Sequence, residues 1–273
     1  MMNRKYLIRL SDIKLIISKY RLQMTHNNSF YSTFASYYDK LVSYKSRKEN
    51  ESSFWLDLFK KYNISNAHDC ACGTGHHLIL FNELGISCSG SDLSAEMIKK
   101  ANENCQSRNI SSKIYQADFR DITNILHTPV DLIVNLGNSL PYLSKMEDIL
   151  NYIKGCYSRL TSEGIMVIET RNFNYLMREK PRFIPLSFRE SFGFIYVLDY
   201  FEEKIEFNIL YFNLENKDFK TFKTTYFPIK YEKLISMIDN SGFLIKHEYA
   251  GYKYGEFNVN KSQGMILILK KRT

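Results

Sequence analysis

From about residue 54 the chain alternates two hydrophobic periods. "SSFWLDLFKKY" places apolar residues at helical spacing behind a cap-like serine, and "NAHDCA" is a short strand candidate. "GHHLILFNEL" returns to helical spacing, "ISCSGSD" alternates as a strand does and ends at Asp92, and "SAEMIKKANENCQ" starts on Ser94, a good helix N-cap. "SKIYQAD" predicts a third strand ending at Asp118. "PVDLIVNLG" and "IMVIET" are apolar, β-branched runs of the kind buried on both faces in a parallel sheet. Between them lie the helix "KMEDILNYIKGCYSRL" and a turn at "TSEG". This βαβα rhythm predicts an α/β fold with a doubly wound, Rossmann-like, mostly parallel sheet.

The rhythm then breaks. The segment from "FGFIYVLDYF" to "KTTYFPI" has no helical stripe and reads as three strands joined by turns at "EEK" and "ENKD", an antiparallel β insertion. Helix "YEKLISMIDNSG" follows, with Gly242 as its C-terminal stop, and then two more strands, "FLIKHEYA" and "GMILILKK". We place the insertion, a lid, at 178–230, with no separate linker. Residues 1–28 carry "KYLIRLSDIKLIISKYRL", a basic amphipathic extension in which Asp12 is the one acid. We read it as a helix packed on the domain or an upstream extension, Met24 being an alternative start; a membrane-surface or transit segment is the other reading.

Composition changes the picture little. The 273 residues suffice for one large α/β domain, and 44% hydrophobic content supports a core. With 20 Tyr and 19 Phe, rings with polar tips can line a cavity as well as a core. The charge of +8 invites a nucleic-acid reading, but the basic residues are scattered and form no groove-like run, so no nucleic-acid partner is expected. Cys70, Cys72, Cys88, Cys105 and Cys156 are odd in number and unpatterned, which points to a reducing, cytoplasmic compartment. No apolar run approaches the about 18 residues of a membrane span, so stable membrane insertion is not expected.

The chemistry concentrates in "HDCACGTGHHLIL" (68–80). Gly73 and Gly75 stand where the first strand ends, and in open α/β sheets ligands bind beyond that end. A dinucleotide loop needs G-x-G-x-x-G and a Walker loop needs Gly-Lys-Ser/Thr; neither is present. Cys70, Cys72, His76 and His77 do not have a usual zinc spacing, so no metal is expected; the two histidines are read as exposed or packing. Asp69 ahead of the loop would repel phosphate and attract an ammonium or sulfonium. Asp92 can accept from both hydroxyls of a ribose, and Asp118 with Phe119 can offer an acceptor and an aromatic wall to adenine. Together these suit a cationic nucleoside, S-adenosylmethionine.

"DCACGTGHHL", "SGSDLSAEMIKKA" and "YQADFRDI" resemble successive motifs of class I S-adenosylmethionine-dependent methyltransferases, over about residues 30–170. "LGNSLPYL" (136–143) and "IETRNFNYLM" (168–177) look like the matching segments of the glycine/sarcosine N-methyltransferase group. The resemblance implies that 29–273 is a methyltransferase domain interrupted by the insertion, with Asp69, Ala71, Cys72, Gly73 and Gly75 framing the methionine end of the cofactor. It also implies Arg47 on the cofactor carboxylate, Asp92 and Leu93 at the ribose, Asp118 and Phe119 at the adenine, and Leu136 against the cofactor. Asn138 and Arg171 would grip the carboxylate of a small amino acid, with Tyr31 and Tyr142 at the transfer site. Tyr142 stands where these enzymes commonly have His, and Asn174 where they often have Asp. Tyr38 and Trp55 are read as core.

The expected activity is methyl transfer to the amine of a small amino acid such as glycine or sarcosine by in-line displacement, releasing S-adenosylhomocysteine, in a possible homo-oligomer. The loop "CGTGHHL" also resembles sugar N-methyltransferases of antibiotic pathways, so an amino-sugar or other specialised-metabolite N- or O-methyltransferase is the alternative. RNA or protein methylation and non-catalytic cofactor binding rank behind both.

Overall fold

The computed structural model describes residues 30–272; the predicted N-terminal extension lies outside them. Two helices come first, α1 (Phe30–Leu41) and α2 (Tyr44–Lys61). Strands and helices then alternate as β1 (Asn66–Asp69), α3 (His76–Glu83), β2 (Ser87–Asp92), α4 (Ala95–Gln106), β3 (Ile114–Gln116), α5 (Ile122–Ile125), β4 (Val130–Asn135), α6 (Met146–Arg159) and β5 (Leu160–Arg171). After α7 (Phe173–Glu179) come β6 (Phe183–Phe188), β7 (Phe192–Tyr200), β8 (Ile205–Asn213) and β9 (Asp218–Tyr226), followed by α8 (Tyr231–Asn240), β10 (Phe243–Tyr249) and β11 (Gly264–Lys271).

The main sheet runs β10-β11-β5-β4-β1-β2-β3. β1 pairs in parallel with both β2 and β4, and β11 is antiparallel to β5. Strand order reverses between β1 and β4, the switch point at which such sheets open a crevice. Period-two alternation divides the apolar side chains between the faces. Leu132, Val134, Ile165, Val167, Ile266 and Ile268 pack against α2 and α3 through Phe54, Trp55, Leu78 and Phe81. Ile133, Met166, Ile168, Leu267 and Leu269 pack against α6 and α8 through Ile149, Ile153, Leu234 and Ile238. Burial on both faces explains why these strands read as continuous apolar runs.

Side-chain caps fix the helix starts that aim residues at the crevice. Ser94 Oγ accepts from Met97 N–H at 3.3 Å, and Asn172 Oδ1 accepts from Asn174 and Tyr175 N–H at 3.1 and 3.3 Å. The second sheet, β6-β7-β8-β9, is antiparallel throughout. Its inner face, with Phe194, Leu198, Phe207, Ile209 and Phe222, packs on Phe34 of α1 and on Phe173 and Leu176 of α7.

Three features differ from the sequence pattern. The second sheet has four strands instead of three: β6 contains Pro185, which breaks the strand signal and is tolerated because β6 is an edge strand with a register shift at Pro185. "TSEG" is not a separate turn but lies within β5. α2 begins about ten residues before the apolar run, at Tyr44, where Ser43 Oγ accepts from Ser46 N–H at 3.4 Å. Among the described residues no helix is long and apolar enough to cross a membrane.

Candidate active site

The loop after β1 is shaped by carboxylates and glycines. Asp69 Oδ1 accepts from Ala71 N–H at 3.2 Å, and Asp92 at the end of β2 accepts from Gly73 N–H and Ser94 N–H, both at 2.9 Å. Burial pushes the Asp92 carboxyl upward while the Ser94 and Gly73 N–H groups pull it down; the net direction is up. Gly73 and Gly75 adopt φ of 53° and 83°, a region in which a side chain is strained. A Cβ on Gly75 would stand 3.2 Å from Ala101 Cβ, so this glycine lets the loop lie against α4.

Above the loop lies a cavity of about 730 Å³, walled by the ends of β1, β2, β4 and β5, by α1 and by the inner face of the second sheet. Arg47, Ala71, Gly73, Asp92, Leu93, Phe119 and Leu136 line one part. Tyr31, Asn138, Tyr142 and Arg171 line the other. The sequence-predicted residues Asp69, Cys72, Gly75 and Asp118 stand behind this wall. Asp69 is 1% exposed, and Asp118 is held by Arg120, whose Nε and Nη2 donate to it at 3.0 and 2.6 Å. Asp118 also caps a 3₁₀ turn that carries Phe119 to the cavity.

The second part of the wall is phenolic. Tyr31 donates to the Tyr142 hydroxyl at 2.7 Å, and Tyr142 donates to that of Tyr226 at 3.4 Å. Burial pushes Tyr31 and Tyr142 well above the ordinary tyrosine value, so all three phenols are neutral donors and acceptors at neutral pH. The Arg171 guanidinium lies 5.4 Å from the Tyr196 ring centre and 6.0 Å from that of Phe207. Among the described residues no carboxylate is within 4.0 Å of it. Gly137 and Asn138 carry φ of 68° and 64° and turn the chain after β4. Asn138 Oδ1 is taken by Thr170 Oγ1 at 3.0 Å and Arg171 N–H at 2.9 Å. Its Nδ2 is buried without a hydrogen bond, although the Tyr226 hydroxyl is close enough to interact with the amide.

A buried ionic cluster backs the other end. Arg47 Nη1 donates to Glu51 Oε1 at 2.9 Å and lies 2.6 Å from His77 Nε2. The same His77 Nε2 is 3.0 Å from Glu51 Oε2, which also accepts from Trp55 Nε1–H at 3.1 Å. His77 Nδ1 is 3.6 Å from Asp69 Oδ2. His76 Nε2 lies 3.2 Å from Asp39. Both histidines are therefore buried in polar contacts with carboxylates, against the expectation of exposed or packing roles: the helix start that carries them is covered by α1 and α2. Cys70 and Cys72 are buried thiols, and no cluster of metal-ligating residues occurs among the described residues.

The pattern of the sequence missed several wall residues. Tyr38, read as core, lines the cavity with its hydroxyl pushed up to about 12 by burial, whereas Trp55 is core. Tyr196, Phe207 and Tyr226 share the inward face of the second sheet with Phe194 and Phe222. Their alternate spacing was the available signal. Glu169 accepts from Gly137 N–H at 2.9 Å and from the Tyr252 hydroxyl at 3.0 Å. Asn174 is remote from the wall, donating to Glu232 and accepting from Tyr231 N–H at 2.8 Å.

This wall fits a cationic nucleoside carrying an amino-acid tail. The buried Arg47 Nε has no partner, a Cβ built on Gly73 would meet nothing nearer than the Tyr38 ring at 4.0 Å, and Asp92 and Phe119 line the same cavity. Residues 67–164 match the family model described as a methyltransferase domain. The chain is 26% identical over 231 residues to a glycine/sarcosine N-methyltransferase from Halorhodospira halochloris, covering 84% of each protein. It superposes with a TM-score of 0.74 on an S-adenosylmethionine-dependent methyltransferase from Clostridium acetobutylicum ATCC 824, at 19% identity, over 89% of this chain and 99% of that one. The amino pentose methyltransferase CalS10 of Micromonospora echinaspora, solved with S-adenosylmethionine bound, gives a TM-score of 0.63 at 14% identity, over 91% and 100% of the two chains.

Proposed function

We propose that this chain, a small-molecule methyltransferase that uses S-adenosylmethionine on a class I fold, methylates the amine of a small amino acid of the glycine or sarcosine type. The observation that carries the acceptor is Arg171. A guanidinium at the cavity wall with aromatic faces and no carboxylate partner among the described residues calls for an anion. The unpartnered Asn138 Nδ2 beside it adds a second donor. The name of the Halorhodospira relative supports the same acceptor class.

S-adenosylmethionine supplies an electrophilic methyl on a sulfonium, so the leaving group needs no acid. The chain's own residues would do the positioning. Arg47 would hold the cofactor carboxylate, the Ala71–Gly73 backbone would lie along the methionine tail, Asp92 would accept from the ribose and Phe119 would wall the adenine. Asp118, engaged by Arg120, would act on the adenine through the turn it caps. Arg171 and Asn138 would fix the acceptor carboxylate, and Tyr31, Tyr142 and Tyr226 would orient the amine as hydrogen-bond partners while excluding water. None of these phenols is a base at neutral pH, so they do not take the amine's proton, and the amine must arrive neutral with its lone pair free.

The test is S-adenosylhomocysteine release with glycine, sarcosine, dimethylglycine, other amino acids and an amino-sugar nucleotide. Arg171→Ala should cost about 2–5 kcal/mol in kcat/KM on a carboxylate amine, with Arg171→Lys losing less. Turnover confined to a carboxylate-free amino sugar and indifferent to Arg171→Ala would overturn the amino-acid assignment and leave the methyltransferase intact.

A further inference from the structure

His77 Nε2 has one position for a hydrogen and two neighbours that want opposite things from it. Arg47 Nη1, at 2.6 Å, is a donor and requires a lone pair there. Glu51 Oε2, at 3.0 Å, is an acceptor and requires a proton there. The imidazole cannot satisfy both. In its neutral form, with the hydrogen on Nδ1 facing Asp69 Oδ2 at 3.6 Å, Nε2 accepts from Arg47. In its protonated form Nε2 donates to Glu51, Nδ1 faces Asp69, and a second cation stands where Arg47 had an acceptor. Like charges at that separation in a buried site repel strongly.

We propose that His77 and Glu51 form a proton-dependent brace that sets the Arg47 guanidinium, and through it the grip on the cofactor's carboxylate. This rests on the reading that Arg47 meets that carboxylate. His77 and Glu51 are positioning residues: neither is part of the cavity wall, whereas Arg47 is. The brace joins two elements. Arg47, Glu51 and Trp55 succeed one another at i, i+4 and i+8 on one stripe of α2, and His77 is in the first turn of α3, directly after the glycine loop. Movement of the ring therefore moves the loop and the guanidinium together.

The charged and titratable groups around the brace come from every side. Glu51 and Arg47 face His77 from α2, and Asp69 faces it from β1. Tyr38 of α1, Glu169 of β5 and Tyr252 of the β10–β11 connection act on Arg47, and Asp92 of β2 acts on Tyr38. Burial and Arg47 favour the neutral imidazole, whereas Glu51 and Asp69 favour the cation; the balance lies upward of ordinary histidine. Cofactor uptake in the neutral state then becomes less favourable as pH falls through that titration.

The experiment is calorimetric binding of S-adenosylhomocysteine to the full chain between pH 5.5 and 8.5, with no acceptor and no turnover. The wild type should bind more weakly on acidification, by up to about tenfold per pH unit within the titration range. His77→Gln, which keeps an accepting oxygen but takes up no proton, should flatten that dependence, and His76→Gln should retain it. Glu51→Gln should weaken binding at every pH. With saturating acceptor, both the His77 and Glu51 variants should raise KM for S-adenosylmethionine and leave kcat at saturating cofactor within about twofold.

A pH-independent wild-type Kd sinks the proposal without any variant. So do parallel curves for wild type and a folded His77→Gln. Arg47→Ala separates the premise from the brace: unchanged affinity in that variant disposes of the carboxylate reading itself, whereas a weakened Arg47→Ala beside an unaffected His77→Gln disposes of the brace alone.

Discussion

At the scale of single residues, the loop after β1 is held by backbone chemistry, with Gly73 and Gly75 at positive φ and the Asp92 carboxylate accepting from Gly73 and Ser94 N–H groups. Gly73 and Gly75 announced a turn because few other residues tolerate the positive φ they adopt. Alternation in "ISCSGSD" put Asp92 at a strand end, but its acceptance of the loop's Gly73 and Ser94 N–H groups was not legible. His77 was not legible, since its partners Arg47 and Glu51 are remote in sequence and meet it only through helix packing. Gly75 and Gly85 separate two costs that sequence alone merges. Both have φ above 80°, but a Cβ on Gly85 meets nothing within 4 Å, whereas on Gly75 it meets Ala101 Cβ and backbone Cα at 3.2 and 3.3 Å. Gly85→Ala should therefore cost only the conformational term, about 1–2 kcal/mol. Gly75→Ala should cost roughly 1–3 kcal/mol more, because α4 backbone must shift. Chemical denaturation of the two variants side by side checks the difference; equal losses would mean that the close approach carries no energy.

At the scale of elements, the strands of the main sheet were legible because burial on both faces writes a continuous apolar run. The second sheet was legible as antiparallel but not in its register, and register decides that Tyr196, Phe207 and Tyr226 face the cavity. Helix α1 was not read as an element, although the resemblance put its Tyr31 at the transfer site; it carries Tyr31 and Tyr38 to the cavity. It is held at two ends of its width: Phe34 and Tyr37 meet Phe222 with ring centres 4.9 and 5.2 Å apart. Asp39 accepts from Thr74 Oγ1 at 2.6 Å and from Asn104 Nδ2 at 3.0 Å, with His76 at 3.2 Å. Burial raises the Asp39 carboxyl, but the contacts with His76, Thr74 and Asn104 outweigh it, and the net direction is down. A depressed carboxylate stabilises the fold above its unfolded pKa, near 4, and the contribution disappears as pH falls through the lower folded value. Asp39→Asn should therefore loosen α1 at neutral pH, by about 1–3 kcal/mol of local opening. Faster amide exchange over 30–41, with β4 and β5 unchanged, is the expected result; uniform loss across the chain would assign Asp39 to global stability instead.

At the scale of the whole molecule, the cavity lies where the ends of the main-sheet strands, α1 and the second sheet come together. The main sheet has its own two cores, and the second sheet shares a third with α1 and α7. Between them the wall carries buried polar atoms that lack partners, Arg47 Nε and Asn138 Nδ2, next to the positive-φ turns at 73 and at 137–138. A ligand that satisfies these groups from both sides binds only the folded arrangement, so its binding energy adds to folding. For a single site, ligand at one hundred times Kd contributes about 2.7 kcal/mol. Spread over the unfolding entropy of a chain this size, that corresponds to a rise in Tm of roughly 5–10 °C. S-adenosylhomocysteine should produce that rise alone. Adding glycine should extend it only when S-adenosylhomocysteine is already present, because in-line transfer seats the acceptor against the bound nucleoside within one shared cavity. A glycine shift of equal size without the nucleoside would mean that Arg171 and Asn138 are preorganised independently of the rest of the cavity.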